Sequence, residues 1–219
     1  MKLLFFALFL MDCTLHLYAC WPPEKHKLRR ISKCLLMPLL ACWYFFAAQA
    51  FSPLVFAGIL CGFLGDAFLI VPEKSWTFIC GLASFSAGHI CYIGYMLGQL
   101  NMPPNLLLVI LSSFVYLFGI ACTMKSLWPT LPKLMFAPCL FYMLLISFMS
   151  LCALLFAIEQ GTFTASLVFI GSLLFVVSDS ILSYVTFRKR ISYRYVIVMG
   201  TYILAQTMIS ASFACTGGF

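Results

Sequence analysis

Two aspartates lie inside apolar runs that otherwise exclude charge. Asp66 falls in the stretch 52–69, SPLVFAGILCGFLGDAFL, and Asp179 in 165–182, ASLVFIGSLLFVVSDSIL. The stretches align without a gap at an offset of 113, with seven identities: Leu54/Leu167, Val55/Val168, Phe56/Phe169, Gly58/Gly171, Leu60/Leu173, Asp66/Asp179 and Leu69/Leu182. Leu and Phe identities are cheap in so apolar a chain, but only six acidic residues occur in all of it. A charged Asp at the centre of a membrane helix costs about 2.5–3.5 kcal/mol on insertion scales, so each copy needs a reason. Two neighbouring carboxyls in a low dielectric cannot both ionise cheaply, and one is expected to hold a proton. A protonated carboxyl beside a carboxylate is a general acid beside a general base. The competing reading is structural: the pair fastens two halves of the protein through a shared hydrogen bond. No Lys or Arg falls inside a span on this reading, and His89 is the basic group at depth.

Other polar residues gather at matching positions. His89 and Tyr92 share one span, and Tyr202, Gln206 and Ser210 line one face of another. At the offset of 113, His89 falls opposite Tyr202. Gly58, Gly62 and Asp66 are spaced by four and form a small-residue face leading to the carboxylate, with Gly171, Phe175 and Asp179 as the counterpart. Ser178 and Ser180 flank Asp179. Asp12 and His16, four apart, share a helix face either as a site or as a structural polar pair. Lys33 and Lys133 each precede a proline by five residues, Pro38 and Pro138. They either hold a phosphate or snorkel to the interface.

Several chemistries lack their residues. Three His are too few and too scattered for a zinc lipid hydrolase. No G-x-S-x-G elbow and no glycine-rich phosphate loop occurs. The eleven Cys show no C-x-x-C spacing and read as small core residues rather than a disulfide framework or zinc site. No metal or cofactor is expected.

The elements that must position these residues are membrane helices. The chain is 64% hydrophobic and 9% charged, with a mean hydropathy of +1.07, far outside the soluble norm. Apolar runs near span length recur from end to end, and short amphipathic strands, the sign of a barrel, are missing. We read eight spans, about 3–20, 34–50, 52–71, 76–98, 105–124, 134–158, 163–187 and 195–215. The first has a rival reading as a signal peptide, because Leu17-Tyr18-Ala19-Cys20 resembles a lipoprotein cleavage box. Trp21-Pro22-Pro23 and the basic cluster after it read instead as a helix end at the interface. The fold class is all-α: a single polytopic membrane domain, 1–219. Twelve of the thirteen basic residues fall in the loops after spans one, three, five and seven, leaving Lys2 alone on the other side. By the positive-inside rule those loops are cytoplasmic and both termini lumenal or exterior. The net charge of +7 therefore reflects topology, and nucleic acid is not an expected partner. The internal matches divide the domain into two parallel four-helix repeats, about 1–100 and 101–219, related by a pseudo-twofold along the membrane normal. Spans three and seven are expected to face one another near that axis.

Four motifs then coincide with a known family. Gly65-Asp66-x-x-Leu69, His89-x-x-Tyr92, Leu174-Phe175-x-x-Ser178-Asp179 and Tyr202-x-x-Ala205-Gln206 occur in this order. In these residues the chain resembles the YhhN-like lysoplasmalogenases over nearly its whole length. It departs where the family carries a Lys three residues before the proline of span two: Leu35 stands there, with Lys33 two residues earlier. The resemblance implies hydrolysis of the vinyl ether of lysoplasmalogens to a fatty aldehyde and glycerophospho-ethanolamine or -choline. It also implies an endoplasmic-reticulum membrane location, with a lysophospholipid and the bilayer as partners. Vinyl ether cleavage protonates a carbon and adds water to an oxocarbenium ion, which needs an acid and a base of the kind glycosidases use. In this reading Asp66 and Asp179 share those roles in an order the sequence leaves open. His89, Tyr92, Ser178, Tyr202 and Gln206 orient substrate and water or make ordinary interhelical hydrogen bonds. Lys33 and Lys133 are the candidate phosphate ligands. A small proton-coupled transporter or lipid flippase built on the same Asp pair is the alternative class, and a catalytically silent lysolipid binder is a third.

Overall fold

The computed structural model describes residues 1–22, 25–70, 75–188, 191 and 193–216. Among them stand eight α-helices and no strands: α1 (Lys2–Cys20), α2 (His26–Ala47), α3 (Pro53–Phe68), α4 (Ser75–Leu97), α5 (Leu106–Leu127), α6 (Lys133–Gln160), α7 (Phe163–Phe187) and α8 (Arg194–Cys215). The all-α polytopic class expected from hydropathy is therefore the observed one. Seven of the helices are long and apolar enough to cross a membrane. The eighth, α3, has 16 residues and spans roughly 24 Å at 1.5 Å per residue. The turn at Val71–Lys74, and Lys189 and Arg190 of the last basic loop, lie outside the described residues.

Local chemistry sets several helix ends. Pro53 opens α3 in its first turn, where a missing N–H costs nothing. The side chains of Asn105 and Thr162 cap α5 and α7 by accepting from Leu108 N and Ala165 N. Gly161 ends α6 with φ of 61°, a left-handed conformation that glycine takes without strain.

The largest departure from expectation is α2. It begins at His26 rather than near residue 34, so the segment HKLRRISK is helical. Lys33 is thereby carried two turns into the helix, whereas Lys133 is the first residue of α6. The shared Lys-to-Pro spacing therefore does not mark equivalent helix starts. The cause is amphipathicity: Ser32 and Leu36 are buried while Arg30 and Ile31 are exposed, a period that hydropathy averaging conceals.

Packing follows chain order in part: α1 on α2, α2 on α3, α3 on α4, α6 on α7 and α7 on α8. The halves meet through α4 against α6 and through α8 against α1, α2 and α3. Helices α3 and α7, expected to face one another, share no backbone contact. Aromatic side chains fill the space between. The rings of Phe85 on α4 and Tyr202 on α8 lie 6.0 Å apart, and each meets Phe175 of α7 edge-on at 6.3 and 5.4 Å. Helix α5 is peripheral; of its residues only Met124 and Leu127 are buried.

Close approach depends on glycine at two points 113 apart. A Cβ on Gly58 would lie 2.4 Å from the Tyr92 ring, and one on Gly171 would lie 2.9 Å from the Ala205 carbonyl oxygen. Gly200, on the other hand, has nothing within 4 Å of its Cβ position. Gly171→Ala and Gly58→Ala are each expected to destabilise the protein by about 1–3 kcal/mol through overpacking. Gly200→Ala is expected to stabilise it by about 0.5–1 kcal/mol through helix propensity. Thermal unfolding in detergent reads all three, and equal shifts would overturn the assignment.

Candidate active site

Six helices line one cavity of about 680 Å³. Helix α2 contributes His26, Lys27, Arg29 and Arg30 near its start and Lys33 farther in, α8 contributes Arg194 and then Tyr202, and α7 contributes Thr186 and then Asp179. Asp66 of α3 and Phe85 of α4 complete the inner end. His26, Lys27 and Arg30 are exposed and form the rim, so the cavity runs from a basic mouth to a carboxylate floor. The Arg29 guanidinium carbon lies over the Tyr195 ring, 3.9 Å from its centroid, within reach of cation–π attraction.

The two carboxyls are held differently. Asp66 is buried, two residues before the end of α3. There the carbonyl end of the helix dipole opposes a negative charge. Lys33 Nζ answers it at 3.3 Å from Oδ1, and the Tyr202 hydroxyl donates to Oδ2 at 2.9 Å. The expectation that no Lys or Arg reaches the aspartates from within a span is therefore corrected, because the early start of α2 turns Lys33 inward. Asp179 lies eight residues before the end of α7. It accepts a hydrogen bond from the Tyr142 hydroxyl of α6, and among the described residues no basic side chain forms an ion pair with it. Tyr142 is bonded in turn to His89 Nε2 of α4 at 3.2 Å. The other ring nitrogen of His89, Nδ1, is buried without a partner.

The remaining candidates separate into those that line the cavity and those behind its wall. Ser178 lines it, but its hydroxyl donates to the Val198 carbonyl at 3.0 Å and ties α7 to α8. Tyr92 donates to Gln206 Oε1 at 3.1 Å, and neither residue lines the cavity, nor does His89. Gln206 and the Tyr202 hydroxyl both approach Gly62, so the small-residue face of α3 leaves room for this polar layer. Lys133 is exposed and apart from the cavity. His16 lines it and bonds to Ser32 Oγ at 2.8 Å and to the Cys20 sulfur at 3.5 Å rather than to Asp12. Asp12 is buried with Oδ2 unpartnered.

This arrangement of paired carboxyls, tyrosines and a basic mouth accompanies a sequence match. Residues 28–213 match the model of the YhhN family. The chain belongs to that family. It is similar to lysoplasmalogenase TMEM86B of Homo sapiens, 29% identical over 209 residues and covering 93% of this chain and 84% of the relative. Lysoplasmalogenase TMEM86B of Sus scrofa is 28% identical over 211 residues, with the same two coverages of 93% and 84%. Lysoplasmalogenase TMEM86A of Bos taurus is 27% identical over 209 residues, covering 89% and 82%. No solved structure matches the chain.

Two features of this YhhN-family site escaped the sequence. Tyr142 was one more aromatic in an apolar run; its signal was a phenol one turn beyond Pro138, which needs a partner when buried. Arg29, Arg30 and Arg194 fall outside the spans that hydropathy marks, because hydropathy places helix ends where charge begins.

The Lys33–Asp66 pair has a direct test. Breaking a buried pair from one side typically costs about 3–5 kcal/mol, so Lys33→Met is expected to lower the unfolding midpoint well below that of Lys133→Met, which leaves it unchanged. Adding Asp66→Asn to Lys33→Met is expected to recover much of the loss, a coupling that independent sites lack. Strictly additive shifts would overturn the pairing.

Proposed function

We propose that this YhhN-family chain is a lysoplasmalogenase that hydrolyses the vinyl ether of a lysoplasmalogen to a fatty aldehyde and a glycerophospho-ethanolamine or -choline. The carrying observation is the inner end of the cavity, where one carboxyl has a lysine partner and the other, among the described residues, has none. The similar proteins named lysoplasmalogenase support the substrate class. The basic mouth suits a phosphate, with the arginines offering planar forks of donors.

The unequal partners divide the roles. Asp66, facing Lys33, is the carboxylate, and Asp179, with a tyrosine and, among the described residues, no ion-pair partner, is the protonated acid. Asp179 gives its proton to the β-carbon of the vinyl ether, leaving an oxocarbenium ion. Water adds to the α-carbon and passes a proton to Asp66. In the hemiacetal so formed, Asp179 takes the hydroxyl proton as Asp66 protonates the departing glycerol oxygen. The aldehyde and the glycerol hydroxyl are released, and both carboxyls return to their starting states. Tyr202 and Tyr142 aim the two carboxyls, His89 supports Tyr142, and Tyr92 with Gln206 supports the layer behind them. Lys33 serves the reaction as counter-charge rather than as phosphate ligand, and Lys133 takes no part.

Two organisational readings belong to this proposal. The halves, about 1–100 and 101–219, are parallel repeats. What supports this is that each Asp takes one partner from α2 or α6 of its own half and is tied to α8 or α4 of the other half, and that Gly58 and Gly171 make corresponding close contacts. The alanine variants of those glycines test it, since a loss at only one of them breaks the equivalence. The protein resides in the endoplasmic reticulum with both termini lumenal, so the basic mouth opens to the cytoplasmic leaflet. An N-glycosylation acceptor appended to the N-terminus is then expected to be modified, and an unmodified tag would reverse the orientation.

The activity test is aldehyde release by purified protein in detergent. Wild type is expected to cleave a lysoplasmalogen and to leave the matched ester-linked lysophospholipid intact. Asp66→Asn and Asp179→Asn are each expected to lower turnover by about a hundredfold or more while the protein still folds, the scale of one lost acid–base partner. Well-folded wild type without activity would sink the hydrolase reading and turn attention to proton-coupled transport in vesicles.

A further inference from the structure

The outer half of the bundle holds a second cavity, about 250 Å³, between α5, α6 and α7. Its walls are chiefly apolar, with Val115, Gly119, Ile120, Met143, Ile146 and Val176 among them. The polar tip of Tyr116, which also lines it, is satisfied by Ser150 at 2.6 Å, and Ser150 by Ser172 at 2.7 Å. Thr123 and Ser180, also on its walls, donate to backbone carbonyls of their own helices, and Ser147 and Ser183 complete its hydroxyl lining. Toward the lipid, α5 presents exposed Phe114, Val115 and Phe118, and its loose seat on α6 and α7 leaves the cleft open on that side.

One described residue lines both this cleft and the basic cavity, and it is Asp179. The order of environments is then basic mouth, carboxyl, apolar cleft opening to lipid. In a lysoplasmalogen the order of groups is phosphate, vinyl ether, hydrocarbon chain. We propose that the α5–α6–α7 cleft receives the first part of the alkenyl chain, with the remainder lying along α5 in the bilayer, and that Gly119 sets chain-length preference. This rests on the lysoplasmalogenase reading and extends it to the chain. The double bond is the link between head and chain, so a molecule placed this way brings its β-carbon to Asp179. The same path delivers the aldehyde sideways into lipid while the glycerophospho-base leaves through the mouth.

Gly119 is the position to vary. Nothing lies within 4 Å of its Cβ position, so added side chains enter open space rather than disturb packing. The series Gly119→Ala, Gly119→Leu and Gly119→Phe is compared with wild type on oct-1-enyl and octadec-1-enyl lysoplasmalogens. The ratio of kcat/KM, long chain over short, is expected to fall progressively, by about tenfold or more at Phe, because a filled hydrophobic pocket discriminates on that scale. An unchanged ratio across the series overturns the proposal. A second arm needs no turnover: an ester-linked lysophospholipid with a diazirine in the first half of its chain is photolysed on wild-type protein. Adducts are mapped by mass spectrometry. Labels on α5, α6 or α7 residues of the cleft support the assignment, and labels confined to other helices overturn it. If no variant releases aldehyde from either substrate, the hydrolase reading falls, and the adduct map alone decides whether the cleft holds a lipid chain.

Discussion

A carboxylate taken out of water must be given a counter-charge or a proton, and much of this structure answers that requirement. Asp66 sits at the carbonyl end of a helix, where the backbone already disfavours negative charge. The only ion pair among the described residues is the one that meets it, and forming it requires α2 to be helical well before its apolar stretch begins. The rim of the cavity is a consequence. Once the basic segment is wound onto α2, His26, Lys27, Arg29, Arg30 and Lys33 line one wall. A loop at the same place would have scattered these charges into the interface.

The cavity also depends on what keeps the bundle from closing. Phe85, Phe175 and Tyr202 pack edge to edge between the carboxyl-bearing helices, so the aspartates share a cavity without their helices touching. Glycines on α3 and α7 let α4 and α8 come close behind them. Tight packing there and bulky rings at the centre leave a space open between the helices.

The two aspartates are held by unlike partners. One Asp has lysine and tyrosine, and the other has tyrosine backed by histidine. An equivalent pair would compete for one proton, whereas an unequal pair can hold an acid and a base at once. The tight seat of α1 on α2 and the loose seat of α5 on α6 carry the same asymmetry to the periphery, with a cleft on one side of the molecule.

Helix number, approximate bounds and the two aspartates were legible from the residues, because hydropathy registers span-length runs and a rare Asp inside one stands out. The glycine face ending at Asp66 was legible for the same reason: spacing by four survives without coordinates. Three things were decided only in the folded molecule. Lys33 was assigned to a loop because averaged hydropathy cannot see an amphipathic turn that buries one side. Tyr142 was invisible because a phenol declares itself only through its partner, and that partner is 37 positions away in the chain. The separation of α3 from α7 depended on which aromatic side chains fill the middle, a matter of volume and shape across four helices. Sequence spacing reports what lies along one helix. Which helix supplies the counter-charge, and which leaves a gap, follows from packing between them.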